Sequence, residues 1–215
     1  MLDFELMKYC YGCGACVNAC PRSAIQMVQT TDGSCIPEID QAQCINCGKC
    51  DQVCIHQHTD RYHSILAGEG CYAAYELDKV ERKESASGGM FFLLAKEVLR
   101  QDGYVCGCVW NEKMDAVHIV SNKTIDIERM RNSKYVQSDI GRCLAEIREL
   151  LKTGKPVMFC GTPCQCAACQ AVTGNPENLL KVSLICEGTP TPGVWERYRD
   201  AKAKESGEKI SAVNF

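Results

Sequence analysis

The spacing of eight cysteines in the first quarter of the chain constrains the fold more than any other feature. From Cys10 the chain reads Cys-Tyr-Gly-Cys-Gly-Ala-Cys-Val-Asn-Ala-Cys-Pro, which sets Cys10, Cys13, Cys16 and Cys20 at gaps of two, two and three residues. The same gaps recur at Cys44, Cys47, Cys50 and Cys54. This C-x2-C-x2-C-x3-C run is the bacterial 4Fe–4S pattern, and its duplication is the two-cluster form, in which the fourth cysteine of each run ligates the other cluster. The expected ligand sets are therefore Cys10, Cys13, Cys16 and Cys54 for one cluster, and Cys44, Cys47, Cys50 and Cys20 for the second. A cubane has four iron corners, and two-residue gaps let one tight turn present three thiolates. Gly12, Gly14 and Gly48 suit such turns, because glycine lets backbone amides come close to the cluster. Crossing the fourth ligand ties together a module whose apolar core is too small to hold alone. Residues 24–30 and 34–39 flank Thr31-Asp32-Gly33, a hairpin signal. Ile55 stands where a proline usually follows the second run. The alternative is a pair of zinc sites, but zinc seldom takes three cysteines at two-residue gaps plus a fourth three residues on, twice over.

Eighteen cysteines in 215 residues approach the density of a disulfide scaffold in a short secreted chain. Residues 1–8 hold two acids and no basic n-region, so nothing resembles a secretory signal. The same density then reads as metal ligation in a reducing, cytoplasmic setting. No run approaches the roughly eighteen apolar residues of a membrane span. A net charge of -3 argues against a nucleic-acid binder. The first sixty residues balance to -4 and the remainder to +1, so the cysteine-rich module is the acidic part.

The chain divides into a small two-cluster ferredoxin domain over residues 1–58 and an α/β domain over residues 71–215, an α+β two-domain arrangement. Residues 56–70, with His56, His58 and His63, read as a solvated polar linker. Beyond it the pattern predicts a strand at 71–77 and a helix at 87–100 with Ser87 as N-cap. Strands follow at 104–110 and 116–120, a short helix at 125–131 and a short strand at 135–136. A helix at 139–152 capped by Gly154, a buried strand at 156–160 and a helix running to about 172 come next. A strand at 180–186 and a helix at 192–204 complete the series. Strand and helix in alternation imply a mostly parallel sheet.

Two turns in this domain can carry chemistry. Cys160-Gly161-Thr162-Pro163-Cys164-Gln165 hands a strand over to a helix, where open α/β sheets bind ligands and helix amides suit an anion. Ser85-Ala86-Ser87-Gly88-Gly89 offers two hydroxyls at another helix start. Taken alone, each is also an ordinary cap and turn. Cys160, Cys164, Cys166 and Cys169 could form a further redox or metal site, but read better as small hydrophobes. Cys35, Cys71, Cys106, Cys108 and Cys143 read as structural.

These stretches, together with Tyr72-Ala73-Ala74-Tyr75, Ser133-Lys134-Tyr135-Val136-Gln137-Ser138-Asp139 and Ile185-Cys186-Glu187-Gly188 with Pro192 and Trp195, resemble the coenzyme F420 hydrogenase/dehydrogenase beta-subunit family. The resemblance covers about 145 residues. It implies an FAD-binding iron–sulfur oxidoreductase, in which flavin links one-electron clusters to a hydride carrier such as coenzyme F420 or to another organic substrate. It implies that Ser87, Gly88, Gly89, Ser133, Lys134, Gln137, Gly161, Thr162, Pro163, Cys164 and Gln165 line or shape the flavin pocket. Lys134, the one charge among them, would suit the pyrophosphate or the N1/O2 edge. The family usually has histidine where Glu187 stands, which makes Glu187 and Lys134 the catalytic candidates. Family members also continue beyond Val213-Asn214-Phe215, where the pattern reads as the start of a new strand, so the chain reads as truncated. The implied partner is ferredoxin or another redox subunit, with neither nucleic acid nor membrane. The competing function is an electron-transfer adaptor whose redox centres are the two clusters alone.

Overall fold

The computed structural model describes residues 9–61 and 70–213. His63 in the expected linker and the chain end at Asn214 and Phe215 lie outside the described residues. The N-terminal module runs α1 (Ala15–Ala19), β1 (Ile25–Gln29), β2 (Cys35–Ile39) and α2 (Lys49–Gln52). The hairpin pairs Ile25 with Ile39 and Gln29 with Cys35, closed by Thr30 N donating to Ser34 O at 2.8 Å. Each short helix starts at a left-handed glycine, Gly14 at φ 71° and Gly48 at φ 72°, a conformation that costs a side chain dearly. The two halves thus repeat one device: a glycine turn, one turn of helix and a closing cysteine.

The second domain runs α3 (Lys79–Lys83), a 3-10 turn at Ser87–Gly89, α4 (Met90–Arg100), β3 (Tyr104–Trp110), β4 (Ala116–Ser121), α5 (Thr124–Met130) and α6 (Cys143–Leu151). It continues through β5 (Val157–Gly161), α7 (Pro163–Thr173), β6 (Leu179–Ser183) and α8 (Pro192–Ser206). The sheet order is β4-β3-β5-β6, with β3, β5 and β6 parallel and β4 an antiparallel edge. The molecule is a ferredoxin-like module followed by a mixed α/β domain with a mostly parallel sheet. Strand alternation sorts the core into two faces. Val105, Val109, Met158 and Cys160 pack on α4 and α5 through Phe92, Ala95, Val98, Ile127 and Met130. Cys106, Val157 and Phe159 face α6 and α7.

Several local expectations need correction. Residues 71–77 form no strand: they are mostly exposed, and Glu76 N bonds Gly88 O instead of a sheet edge. Residues 135–136 form none either; the nearest pairing is a single bridge between Val117 and Asp139. Ser87 is not the N-cap of α4, because Gly88 (φ 66°) and Gly89 (φ 82°) turn left-handed before the helix settles at Met90. The helix expected from 139 starts at Cys143, since Asp139 Oδ1 ties off Gly141 N in a tight turn at 2.8 Å. His56 and His58 are half-buried rather than solvated, and the His56 ring meets those of Tyr9 and Tyr11.

The two domains lock together at three points. Asn18, 1% exposed, donates from Nδ2 to Gly14 O and to Gly141 O, both at 2.9 Å, and accepts Ala145 N at 3.0 Å. No side chain of α6 caps its own N-terminus, so Asn18 of the ferredoxin module fills that role. Gln137 Nε2 donates to Tyr11 O at 2.9 Å. The hairpin tip meets the start of α8, where Gly193 N donates to Gly33 O at 3.1 Å. A Cβ on Gly193 would lie 2.5 Å from Gly33 Cα, so backbone touches backbone only because both residues lack one.

Candidate functional site

The first group of thiols forms around the Gly12 and Gly14 turns. Gly12 N donates to Cys10 Sγ at 3.3 Å. Burial pushes the Cys10, Cys13 and Cys16 thiols up, Cys16 to about 12, and neighbouring thiolates push further. The charge of Cys54 acts on both Cys10 and Cys16, so the last cysteine of the second run lies with the first. The second group rings a cavity of about 260 Å³, lined by Cys20, Cys44, Cys47 and Cys50 with Ile25, Ile39, Ile45 and Gly48. Cys20 accepts Ala24 N at 3.3 Å. The fold thus sets Cys20 around one cavity with Cys44, Cys47 and Cys50, and Cys54 within reach of the charges of Cys10 and Cys16.

Among the described residues no three His, Cys, Asp or Glu groups close on one point as a single bound ion requires. The second thiol group surrounds a volume instead, as a cubane needs. Buried thiols that resist ionising fit a cationic iron centre, which stabilises the thiolate outright. Among the described residues, His56 Nδ1 and His58 Nε2, shortly after Cys54 in the chain, are buried without a hydrogen-bond partner.

A larger cavity of about 700 Å³ opens at the carboxyl edge of the sheet, within the range of small-molecule sites, roughly 300–1,000 Å³. Ser87, Ser133, Lys134, Gln137, Gly161, Thr162, Pro163, Cys164 and Gln165 all border it. Gly88 and Gly89 do not; they pack under Tyr75 and Glu76 and shape the turn that presents Ser87. Glu187 is exposed on the loop after β6, between Cys186 and Gly188, which do line the cavity. Thr162 caps α7 in a reciprocal box with Gln165. That box extends into a buried relay. Gln165 Nε2 donates to Ser138 Oγ at 2.9 Å, and Ser138 Oγ meets His118 Nδ1 at 3.1 Å. His118 Nε2 meets Cys160 O at 3.1 Å. A carbonyl only accepts, so Nε2 carries the proton and Nδ1 takes the Ser138 hydroxyl. Burial holds His118 down to about 4, so the ring is neutral.

Lys134 is the one cationic side chain among those bordering the cavity, and its Nζ donates to Arg129 O, Arg131 O and Asn132 O at 3.0, 2.6 and 3.1 Å. All three donors are therefore committed to the end of α5. Burial draws its ammonium down to about 8. It lends the cavity a positive field more than a free hydrogen bond.

Of the other cysteines, Cys106, Cys143 and Cys169 meet in the core, where Cys106 and Cys143 hydrogen-bond each other. Cys160 belongs to the α4 face, whereas Cys166 and Cys169 belong to the α7 face. Cys164 borders the large cavity, and its charge reaches Cys10 and Cys13. Tyr11, in the first thiol loop, also borders the cavity. The first thiol group therefore lies behind the wall that Tyr11 and Cys164 form, and none of its own cysteines borders the cavity. Sequence reasoning missed His118, Ser138 as relay and Tyr11. A lone histidine in an alternating strand gives no signal, and Tyr11 reaches the cavity only through domain packing.

Residues 9–57 match a 4Fe–4S dicluster domain. No match to the chain is found among curated protein sequences. Among solved structures, a chain of the F420-reducing NiFe hydrogenase complex from Methanosarcina barkeri superposes with a TM-score of 0.48 at 18% identity. The superposition covers 65% of this chain and 50% of that one, so the present chain spans about half the length of the hydrogenase chain. No described helix is long and apolar enough to cross a membrane. The dicluster domain makes the chain an iron–sulfur electron-transfer protein.

Proposed function

We propose that the chain is an iron–sulfur flavoprotein oxidoreductase, with a ferredoxin domain over residues 1–58 and a flavin-binding domain over residues 71–215. Cys10, Cys13, Cys16 and Cys54 hold an inner cluster, and Cys20, Cys44, Cys47 and Cys50 an outer one. FAD occupies the cavity at the sheet edge and, when bound, supplies the exchange between single electrons and a hydride. The observation that carries this reading is the contact between the first thiol loop and the cavity: Tyr11 and Cys164 both border it, and the charge of Cys164 acts on Cys10 and Cys13. Ser87, Ser133, Gln137 and Thr162 present polar groups to the cofactor, and the His118 relay fixes the turn at Gly161. The Lys134 field favours an anionic ligand. The substrate is a small two-electron carrier such as coenzyme F420 or another organic molecule, and the electron partner is a redox protein. Anaerobic purification with assays for iron, sulfide and acid-extractable flavin tests the reading. About eight irons per chain are expected from two cubanes, with one flavin. Protein replete in iron but unable to retain flavin would leave only the adaptor role.

A further inference from the structure

The two thiol groups meet solvent differently. Cys13 packs against the core under α6 and α7, and Cys10, Cys13, Cys16 and Cys54 are all half-buried. Cys47 is exposed, and beside it Ile45 is 58% exposed on the rim of the smaller cavity. Arg22 and Lys49 stand exposed on the same rim. No acidic side chain lines that cavity, although the first sixty residues carry a net charge of -4. Among the described residues neither Arg22 nor Lys49 pairs with an acid, and neither bonds a thiol. An apolar centre flanked by two unpaired cations, on an otherwise acidic module, is a local reversal of charge over the most exposed ligand thiol.

We infer that this rim is the docking face for an acidic one-electron carrier protein, an inference that rests on the cluster reading above. Cys20, Cys44, Cys47 and Cys50 would hold the accepting cluster here, which would take one electron from the carrier's reduced centre with no proton moved. Small footprints below roughly 1,200 Å² are usual for such transient redox encounters. Two cations around one apolar contact suit that scale, since charge steers the approach while the apolar centre sets the register. The large cavity shares no lining residue with this rim, so a small organic substrate bound there would not occupy the face.

Binding of the anaerobic, iron-loaded protein to a plant-type 2Fe–2S ferredoxin, an acidic probe, tests this by calorimetry at low and physiological salt. Cytochrome c serves as the basic contrast. Ferredoxin is expected to bind, less tightly as salt rises, and roughly tenfold less tightly to the double variant Arg22→Gln/Lys49→Gln. Iron content of that variant stays at the wild-type level. Ile45→Ala is expected to weaken binding while leaving the salt dependence intact. Undiminished binding by the double variant, no binding by the wild type, or tighter binding of cytochrome c overturns the docking face. A wild-type protein that takes up no iron overturns the cluster reading instead.

Discussion

His118 shows how much one buried side chain can organise. Its ring joins β4 to the end of β5 and, through Ser138 and Gln165, to the first turn of α7. The ring stays neutral because burial outweighs its hydrogen bond to Cys160 O. Its folded value, about 4, lies below that of an unfolded histidine, about 6.5. The unfolded chain therefore takes up the proton first, and stability contributed by His118 is lost as pH falls from about 6.5 toward 4, by about 3 kcal/mol in all. Denaturant unfolding across that window, compared with His118→Gln, is expected to show a steeper acid loss in the wild type. Equal slopes would mean that the ring is already solvated. Lys134 illustrates the opposite limit of inference. Family resemblance marks it as a cofactor contact, but its ammonium is spent on three carbonyls of its own neighbourhood.

At the level of elements, α6 depends on a residue outside its own domain. Asn18 supplies the missing cap and satisfies three backbone groups in a site with almost no solvent. Removing it takes the partner from Ala145 N and Gly141 O, both part-buried bonds, while Gly14 O keeps the backbone N–H of residue 18; each lost bond costs about 1–3 kcal/mol. Asn18→Ala is expected to lower the unfolding free energy by roughly 3 kcal/mol in chemical denaturation, with α6 losing amide protection first. A loss no larger than a surface substitution would show that the two domains are not coupled through this cap. Elements with strong periodicity were legible from sequence: β3, β4, β5, α7 and α8 fall within a few residues of their expected bounds. The thiol spacing likewise marked both glycine turns, though not the single helical turns α1 and α2 that follow them. Residues 71–77 were misread because an apolar run looks like a strand whether or not a sheet edge is available to receive it. The start of α4 was misread because successive glycines read as a flexible cap, whereas here each adopts a left-handed turn. The His118 relay and the Asn18 cap were not legible at all, since each joins residues distant in the chain.

For the whole molecule, the packing of the ferredoxin module on the α/β domain matters more than either part. Gln137 holds the Tyr11 loop, and Gly33 meets Gly193 without side chains between them. The interface sets the Tyr11 loop of one thiol group against the large cavity and leaves Cys47 of the other at the surface. This polarity defines an order: outer thiols, inner thiols, cavity. Stopped-flow absorbance with reduced ferredoxin, a donor too large to enter the cavity, tests that order most directly in wild type and Cys16→Ser. The flavin of the wild type is expected to bleach promptly, and that of the variant at least an order of magnitude more slowly, with the outer cluster still reduced. Bleaching at the wild-type rate in Cys16→Ser would contradict the account.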